Sequence, residues 1–292
     1  MTDLAVHPGA APALRELLAV RRSGVDRFEA RQPVELTNGG RFFGGALLAL
    51  MLRAAAETVD AQRAPHAMHA LFLANGEVED GLRLSVDRVR QGRSFSTRSV
   101  TAAPRTRTGL IAQAMVSFGH AAPGNDVGTP IRIDAPAPES DFTRHPVLEG
   151  AAITLPFDVR EVDVEQWRSG HPHAPTRMLW VRLREPLDAA IERACMLAYI
   201  SDFGATIAAR AMVGATVDTP AVSLNHSIWW HRDHPAGAWL LIEFRPLSAS
   251  GGLGLVAGTI HTESGLHVAT MTQQALMRLT PAPSLRGHAE TG

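Results

Sequence analysis

The chain has 292 residues, 45% of them apolar, and a formal net charge of −1, so it can bury a substantial core and has no bulk attraction to nucleic acid or anionic lipid. All 28 basic residues are arginine, which excludes lysine Schiff-base and P-loop chemistry. The single cysteine, Cys195, excludes an intrachain disulfide framework; with no apolar run approaching the ~18 residues of a membrane span and no signal-peptide pattern after Met1-Thr2-Asp3, a cytoplasmic location is expected.

In chain order, Gly44-Gly45 opens a nearly all-apolar run, Ala46 to Ala56, whose length and small residues predict a helix buried on most sides. Four strand-like segments follow near 66–74, 82–90, 93–103 and 109–118, punctuated by Asn75-Gly76, Gln91-Gly92 and Thr108-Gly109, which predicts an antiparallel meander. Residues 121–150 are rich in proline and glycine and read as a linker. Beyond it, Trp180-Val181-Arg182-Leu183 predicts a strand, and a helix is expected to start near Pro186 and run through Ile191, Ala194, Cys195, Leu197 and Ala198. Ser201-Asp202 then leads into an apolar segment, Phe203 to Met212, and strand-like runs near 222–231, 238–247, 253–262 and 266–278. Residues 281–292 carry further prolines and are expected to be disordered.

The second half repeats the first. An offset of 157 residues sets Gly45 on Asp202, His66 on Ser223 and His69-Ala70-Leu71-Phe72 on His226-Ser227-Ile228-Trp229; an offset of 156 sets Met115 on Met271 and Ser117 on Gln273. The expected organisation is an N-terminal module (1–120), a linker (121–150), a C-terminal module (151–280) and a tail (281–292), with an α+β fold class.

The halves differ where chemistry could sit: Gly45, His66 and Ser117 in one, Asp202, Ser223 and Gln273 in the other. A carboxylate between the apolar run Met196 to Ile200 and Phe203 is costly unless it is hydrogen-bonded or functional. Asp202 is therefore either a general base or an N-cap opening the next helix.

Phe43-Gly44-Gly45, His66-Ala67-Met68-His69 and Gly92 to Arg98 in the first half, and Tyr199-Ile200-Ser201-Asp202-Phe203, Asn225 to Arg232 and Gln273 to Arg278 in the second, resemble the acyl-CoA thioesterase II family. The resemblance implies two tandem hotdog modules, each an antiparallel sheet wrapped around a central helix. It also implies hydrolysis of an acyl-CoA substrate with no metal, no cofactor and no covalent intermediate, in a homodimer or higher homo-oligomer. It carries the water-holding aspartate, serine or threonine, and glutamine onto Asp202, Ser223 and Gln273 in the C-terminal module. Gly44 and Gly45 become candidates for the oxyanion site, because a helix N-terminus offers N–H donors and glycine lets a substrate approach. His66 and Asn225 are the other candidates beside the substrate. Two departures stand out: Asn225 where the family usually has aspartate, and Ala46 where it usually has glutamine.

Other chemistries fit less well. His226 and His231 are an odd number of residues apart, so on a strand they face opposite sides and are poorly placed to share a metal. Gly251-Gly252-Leu253-Gly254 lacks the strand-to-helix context of a dinucleotide loop, Cys195 sits at core spacing, and no Gly-x-Ser-x-Gly elbow occurs. Arg93, Arg98 and Arg232 are candidates for gripping coenzyme A phosphates, against the ordinary reading of solvated arginines. Two rivals remain: a hotdog enoyl-CoA hydratase or dehydratase pairing Asp202 with His66, and a non-catalytic acyl-CoA-binding protein, which Asn225 and Ala46 favour.

Overall fold

The computed structural model describes residues 14–34, 37, 39–120, 124, 126–128, 135–140, 143–144, 156–167, 176–214 and 220–277. In chain order the elements are α1 (Leu14–Leu17), β1 (Val20–Gly24), β2 (Arg27–Ala30), α2 (Gly44–Ala56), β3 (Ala64–Phe72), β4 (Leu82–Gln91), β5 (Phe95–Pro104), β6 (Ala112–Gly119), β7 (Thr143–Arg144), β8 (Phe157–Val162), α3 (Val164–Trp167), β9 (Arg177–Leu183), α4 (Ala190–Ile200), α5 (Ala205–Met212), β10 (Ala221–Trp230), β11 (Leu240–Ser250), β12 (Leu253–Thr262) and β13 (His267–Met277).

Among the described residues, all strands join one antiparallel sheet in the order β1-β2-β4-β5-β6-β3-β10-β13-β12-β11-β9-β8-β7. Read outward from the β3–β10 seam, the two sides repeat: β3, β6, β5, β4, β2, β1 on one, β10, β13, β12, β11, β9, β8 on the other. The halves are therefore related by a pseudo-two-fold axis through the seam. There Asn225 lies opposite Leu71, Ser227 opposite His69 and Trp229 opposite Ala67. The His69 ring nitrogen Nδ1 lies 2.9 Å from Ser227 Oγ, tying the modules on the outer face.

Each half is a sheet wrapped around a helix, the hotdog arrangement. Helix α2 crosses β3 to β6 and α5 crosses β10 to β13. α2 has no wet face: Gly45 to Leu52, Ala54 and Ala55 are all buried, which accounts for the nearly unbroken apolar run. The inward faces of the strands show the period-two pattern of a sheet covered on one side, as in β5, where Ser96, Arg98, Val100 and Ala102 are buried. Helix α4 is an addition to the second half and packs along α2. Residues 135 and 136 cover part of the outer face of the second half: Trp180 Nε1 donates to the Pro136 carbonyl at 2.7 Å, and Ala135 packs against the cluster of Val162, Met178, Trp180, Trp239 and Leu241. That second covering explains why β9 is buried at nearly every position.

Three expectations change. The first-half strands are not a simple meander: β4-β5-β6 is one, but β3 pairs with β6 and β10 rather than with β4. Asn75-Gly76 therefore does not close a hairpin; the Gly76 carbonyl accepts the Phe42 N–H at 2.9 Å as the chain crosses to the far side of the sheet. The helix expected near Pro186 begins at Ala190. Leu187 is buried, and Arg193 Nη1 donates to the Leu187 and Asp188 carbonyls, which holds the intervening segment extended. Short elements at 20–30 and 157–162 had no strong periodic signal. Most of the linker and the whole tail fall outside the described residues; within the linker, Thr143–Arg144 pairs with β8.

Candidate active site

Asp202 lies in the four-residue break between α4 and α5. It does not cap the helix it precedes: Gly204 stands at the N-cap of α5, with no side-chain bond there. Its carboxylate instead accepts the backbone N–H of Gly45, in the first turn of α2 on the other module, and an N–H of the Gln273 side chain. The glycines are required by this approach. A methyl group on Gly44 would come within 2.5 Å of Asp202 Oδ2, and one on Gly45 within 2.1 Å of the Tyr199 carbonyl oxygen.

An aromatic shell stands beside the carboxylate. Phe43 lies edge-on to Tyr199 at 5.1 Å between centroids, Tyr199 to Phe203 at 5.7 Å, and Phe157 stacks behind Tyr199 at 5.6 Å. The residue keeps some exposed surface, while the carboxyl itself is densely surrounded. Burial pushes its pKa up to about 7, partly offset by the hydrogen bonds from Gln273 and Gly45. Burial also raises the Tyr199 hydroxyl, and the Asp202 charge adds to that. A carboxylate tuned to neutrality can take a proton near pH 7, the requirement for a general base.

Ser223 and Gln273 come together across β10 and β13. Gln273 is buried, and its Nε2 donates to Ser223 Oγ at 2.7 Å. A bulge at Leu224 makes this possible: Ser223 lies opposite Ala275, but Asn225 lies opposite Gln274, so one residue is extra. Without it, Ser223 and His226 would face opposite sides of the sheet; with it, both turn inward toward Gln273. His226 is fully buried, with Nδ1 2.6 Å from Gln273 Oε1 and Nε2 2.9 Å from Ser201 Oγ. Burial pushes its pKa down to about 4, so the ring is neutral at pH 7.

Four of the seven candidate positions thus meet Asp202 or belong to its set: Gly44, Gly45, Ser223 and Gln273. His66 and Asn225 do not. His66 is exposed and packs edge-on against Phe95 at 5.5 Å. Phe72, the β3 residue against Gly44, is six positions further along the strand, about 20 Å at the usual rise. The hydratase rival's histidine is therefore not beside Asp202. Asn225 points to the outer face, where its Nδ2 donates to Gln274 Oε1 at 3.2 Å. The departure to Asn225 therefore leaves the charge at the site unchanged. Ala46, the other departure, is fully buried in α2.

The phosphate-gripping candidates also separate. Arg98 is fully buried, and its five N–H groups donate to Thr58 Oγ1 and the Thr58, Arg90 and Thr97 carbonyls and to Gln91 Oε1, so it is a structural residue. Arg232 pairs with Asp126 and donates to the His267 carbonyl; Arg93 is exposed. Cys195 is a core thiol whose pKa burial pushes up to about 12. Sequence reasoning missed the bonding of His226 and Ser201 to the set, since only the bulge turns His226 toward Gln273.

Comparisons with known proteins agree on one family. Residues 32–119 match the family model described as the acyl-CoA thioesterase N-terminal domain, and residues 132–277 the one described as the acyl-CoA thioesterase C-terminal domain. Acyl-CoA thioesterase 2 of Haemophilus influenzae is 30% identical over 264 residues, covering 82% of this chain and 88% of that protein. The crystal structure of the acyl-CoA thioesterase II TesB2 from Mycobacterium marinum superposes with a TM-score of 0.78 at 29% identity, covering 92% of this chain and 99% of that one. A conserved protein with a hot dog fold from Alicyclobacillus acidocaldarius shares the fold, with a TM-score of 0.74 at 20% identity over 91% of this chain and 97% of the other. With both of its halves matched, the chain belongs to the acyl-CoA thioesterase II family.

Proposed function

We propose that this acyl-CoA thioester hydrolase works through a water held by Asp202, Ser223 and Gln273. The observation that carries the reading is the convergence of three polar side chains on one spot: a carboxyl with its pKa at about 7, bonded by the amide that also holds Ser223 at 2.7 Å. Asp202 takes a proton from the water as its oxygen attacks the thioester carbonyl carbon. Ser223 and the Gln273 amide aim that oxygen. The tetrahedral oxyanion needs N–H donors, and the first turn of α2 offers them. Phe43 N–H donates to Gln32 Oε1 and Gly45 N–H to Asp202, which leaves Gly44 and Ala46 as the first-turn donors. Gly44 is the better placed, since the Asp202 carboxyl fills the space that a side chain on it would take. Collapse expels coenzyme A thiolate, which regains the proton from Asp202. A thiol with a pKa of about 8.5 leaves readily, so no enzyme nucleophile is required.

The C-terminal module therefore supplies the base and the water-holding groups, and the N-terminal module supplies the oxyanion donors. A homo-oligomer in the cytoplasm belongs to the same reading; light scattering on the purified chain tests the assembly. The deciding experiment is thiol release from short, medium, long and aromatic acyl-CoAs by wild type and Asp202→Ala. Turnover by wild type that collapses in the folded variant supports the mechanism. Equal turnover in both removes Asp202 as the base. Binding without thiol release across the panel would favour a non-catalytic acyl-CoA-binding protein.

A further inference from the structure

We infer that His226, buried behind the site and held by Ser201, is a positioning residue that locks the orientation of the Gln273 amide. The inference rests on the reading of Gln273 as a water-holding group and adds a residue to it. A glutamine amide has two faces of opposite character, and a buried one flips unless its neighbours forbid it. Here the Gln273 amide must put its two N–H groups on Ser223 Oγ and the Asp202 carboxylate, which leaves Oε1 to accept. The group facing Oε1 is His226 Nδ1, at 2.6 Å. Oxygen cannot donate, so in this arrangement the imidazole carries its proton on Nδ1. Its Nε2 then has only a lone pair and must accept from Ser201 Oγ at 2.9 Å.

The chain of donors consequently runs in one direction: Ser201 hydroxyl to His226, His226 to Gln273, and Gln273 to both Ser223 and Asp202. The reverse network has its own exit, because Ser201 Oγ can donate to the Ala198 carbonyl at 2.8 Å while His226 Nε2–H donates to Ser201. That network turns Gln273 Oε1 onto the Asp202 carboxylate, where two acceptors repel. Ionised Asp202 therefore selects the first network, and His226 in the Nδ1–H form maintains it. A leucine of similar size would fill the space and leave the amide free to turn.

His226 touches neither substrate nor water in this scheme, so the test separates positioning from packing. The pH profiles of kcat and kcat/KM are measured on an acyl-CoA that wild type hydrolyses, for His226→Leu, His226→Asn and Gln273→Ala, and for His226→Leu combined with Gln273→Ala. Thermal melts confirm folding. Losing the locked hydrogen bond to a charged group is expected to lower kcat in His226→Leu about ten- to a hundredfold with little change in KM. It should also move the acid limb of kcat/KM upward by about one pH unit, because the Asp202 carboxylate loses a fixed donor. Among the described residues, the other titratable group coupled to Asp202 is Tyr199, which stays neutral across this range. Asparagine places its amide nitrogen where Nδ1 stood, so His226→Asn should recover most of the loss. On a Gln273→Ala background His226→Leu should cost nothing further.

An unmoved acid limb in His226→Leu, equal damage from Asn and Leu in folded proteins, or fully multiplicative losses in the double variant would each overturn the inference. If leucine does not fold at this site, His226→Gln carries the same test, since its amide reaches toward Ser201 and leaves Gln273 Oε1 without a donor. Should Gln273→Ala itself retain wild-type turnover, the water-holding role of Gln273 fails and this inference falls with it. A damaging Gln273→Ala beside a harmless His226→Leu sinks the positioning role alone.

Discussion

Asp202→Asn should make this protein more stable, by an amount that grows with pH. The native carboxyl titrates at about 7, against 3.8 for an ordinary aspartate, because burial disfavours its charge more than Gln273 and Gly45 favour it. An acid whose folded pKa lies above its unfolded value binds protons more tightly when folded, so stability falls as pH rises between the two values and levels off above the higher one. At about 1.4 kcal/mol per pH unit, the rise corresponds to an upper limit of about 4 kcal/mol, lower in practice because Asp202 keeps some contact with solvent. Asparagine removes the charge and can still accept the Gly45 N–H, but its own amide protons face those of Gln273, at a cost of about 1–2 kcal/mol. The net gain expected at pH 8 is about 2 kcal/mol, or several degrees in Tm for a chain of this size. Calorimetric melts of both proteins from pH 4 to 8 at fixed ionic strength measure the difference, in which the other titrating groups cancel. The advantage of the variant should widen from pH 4 to about 7 and then become flat. A difference independent of pH, or a variant less stable at pH 8, would refute a raised Asp202. If Asp202 is the base, the kcat/KM profile of wild type should rise through the same region, because its carboxylate is then the active form.

Three further substitutions probe the surroundings. Gly45→Ala sets a methyl group 2.1 Å from the Tyr199 carbonyl, a backbone atom with nowhere to go, so a loss of about 3 kcal/mol in melts is expected, with a fall in kcat as Asp202 is displaced. Asn225→Asp should change kcat/KM by no more than about twofold and leave its acid limb in place, because the side chain bonds Gln274 on the outer face; a shifted limb would put residue 225 at the site after all. Arg98→Lys cannot reproduce five donors in one plane and should cost about 3 kcal/mol of stability while kcat stays near wild type; a change in KM for coenzyme A esters with unchanged stability would restore Arg98 as a phosphate contact.

The residues that could be read from sequence are those whose environment is local. Residues 44–56 announce a buried helix because nearly every side chain is apolar, whereas β5 is legible only in its second half, since its buried positions Ser96 and Arg98 are polar and Val100 and Ala102 alone carry an apolar alternation. Val20–Gly24 announces nothing, since an edge strand with four of its five residues exposed needs no apolar alternation. Asp202 stood out for a local reason too, a carboxylate set in an apolar run. Its partners did not, because they depend on a bulge and on a seam. Strand parity separates Ser223 from His226, and only the extra residue at Leu224 brings both to Gln273. The repeat hides a second relation: Gly45 and Asp202, aligned on each other by an offset of 157, are in contact. That follows if both lie beside the pseudo-two-fold axis, and it bears on why the two modules sit in one chain. In a symmetric pair the same residue would face itself across the axis. Two aspartates there would raise each other's pKa and leave no N–H donor free to approach, while two glycines would supply no base. With the modules covalently joined, one side can keep glycine and present a helix N-terminus while the other carries the carboxylate. On the proposed mechanism, the difference between Gly45, His66 and Ser117 on one side and Asp202, Ser223 and Gln273 on the other is a division of labour, one that needs unlike residues at equivalent positions.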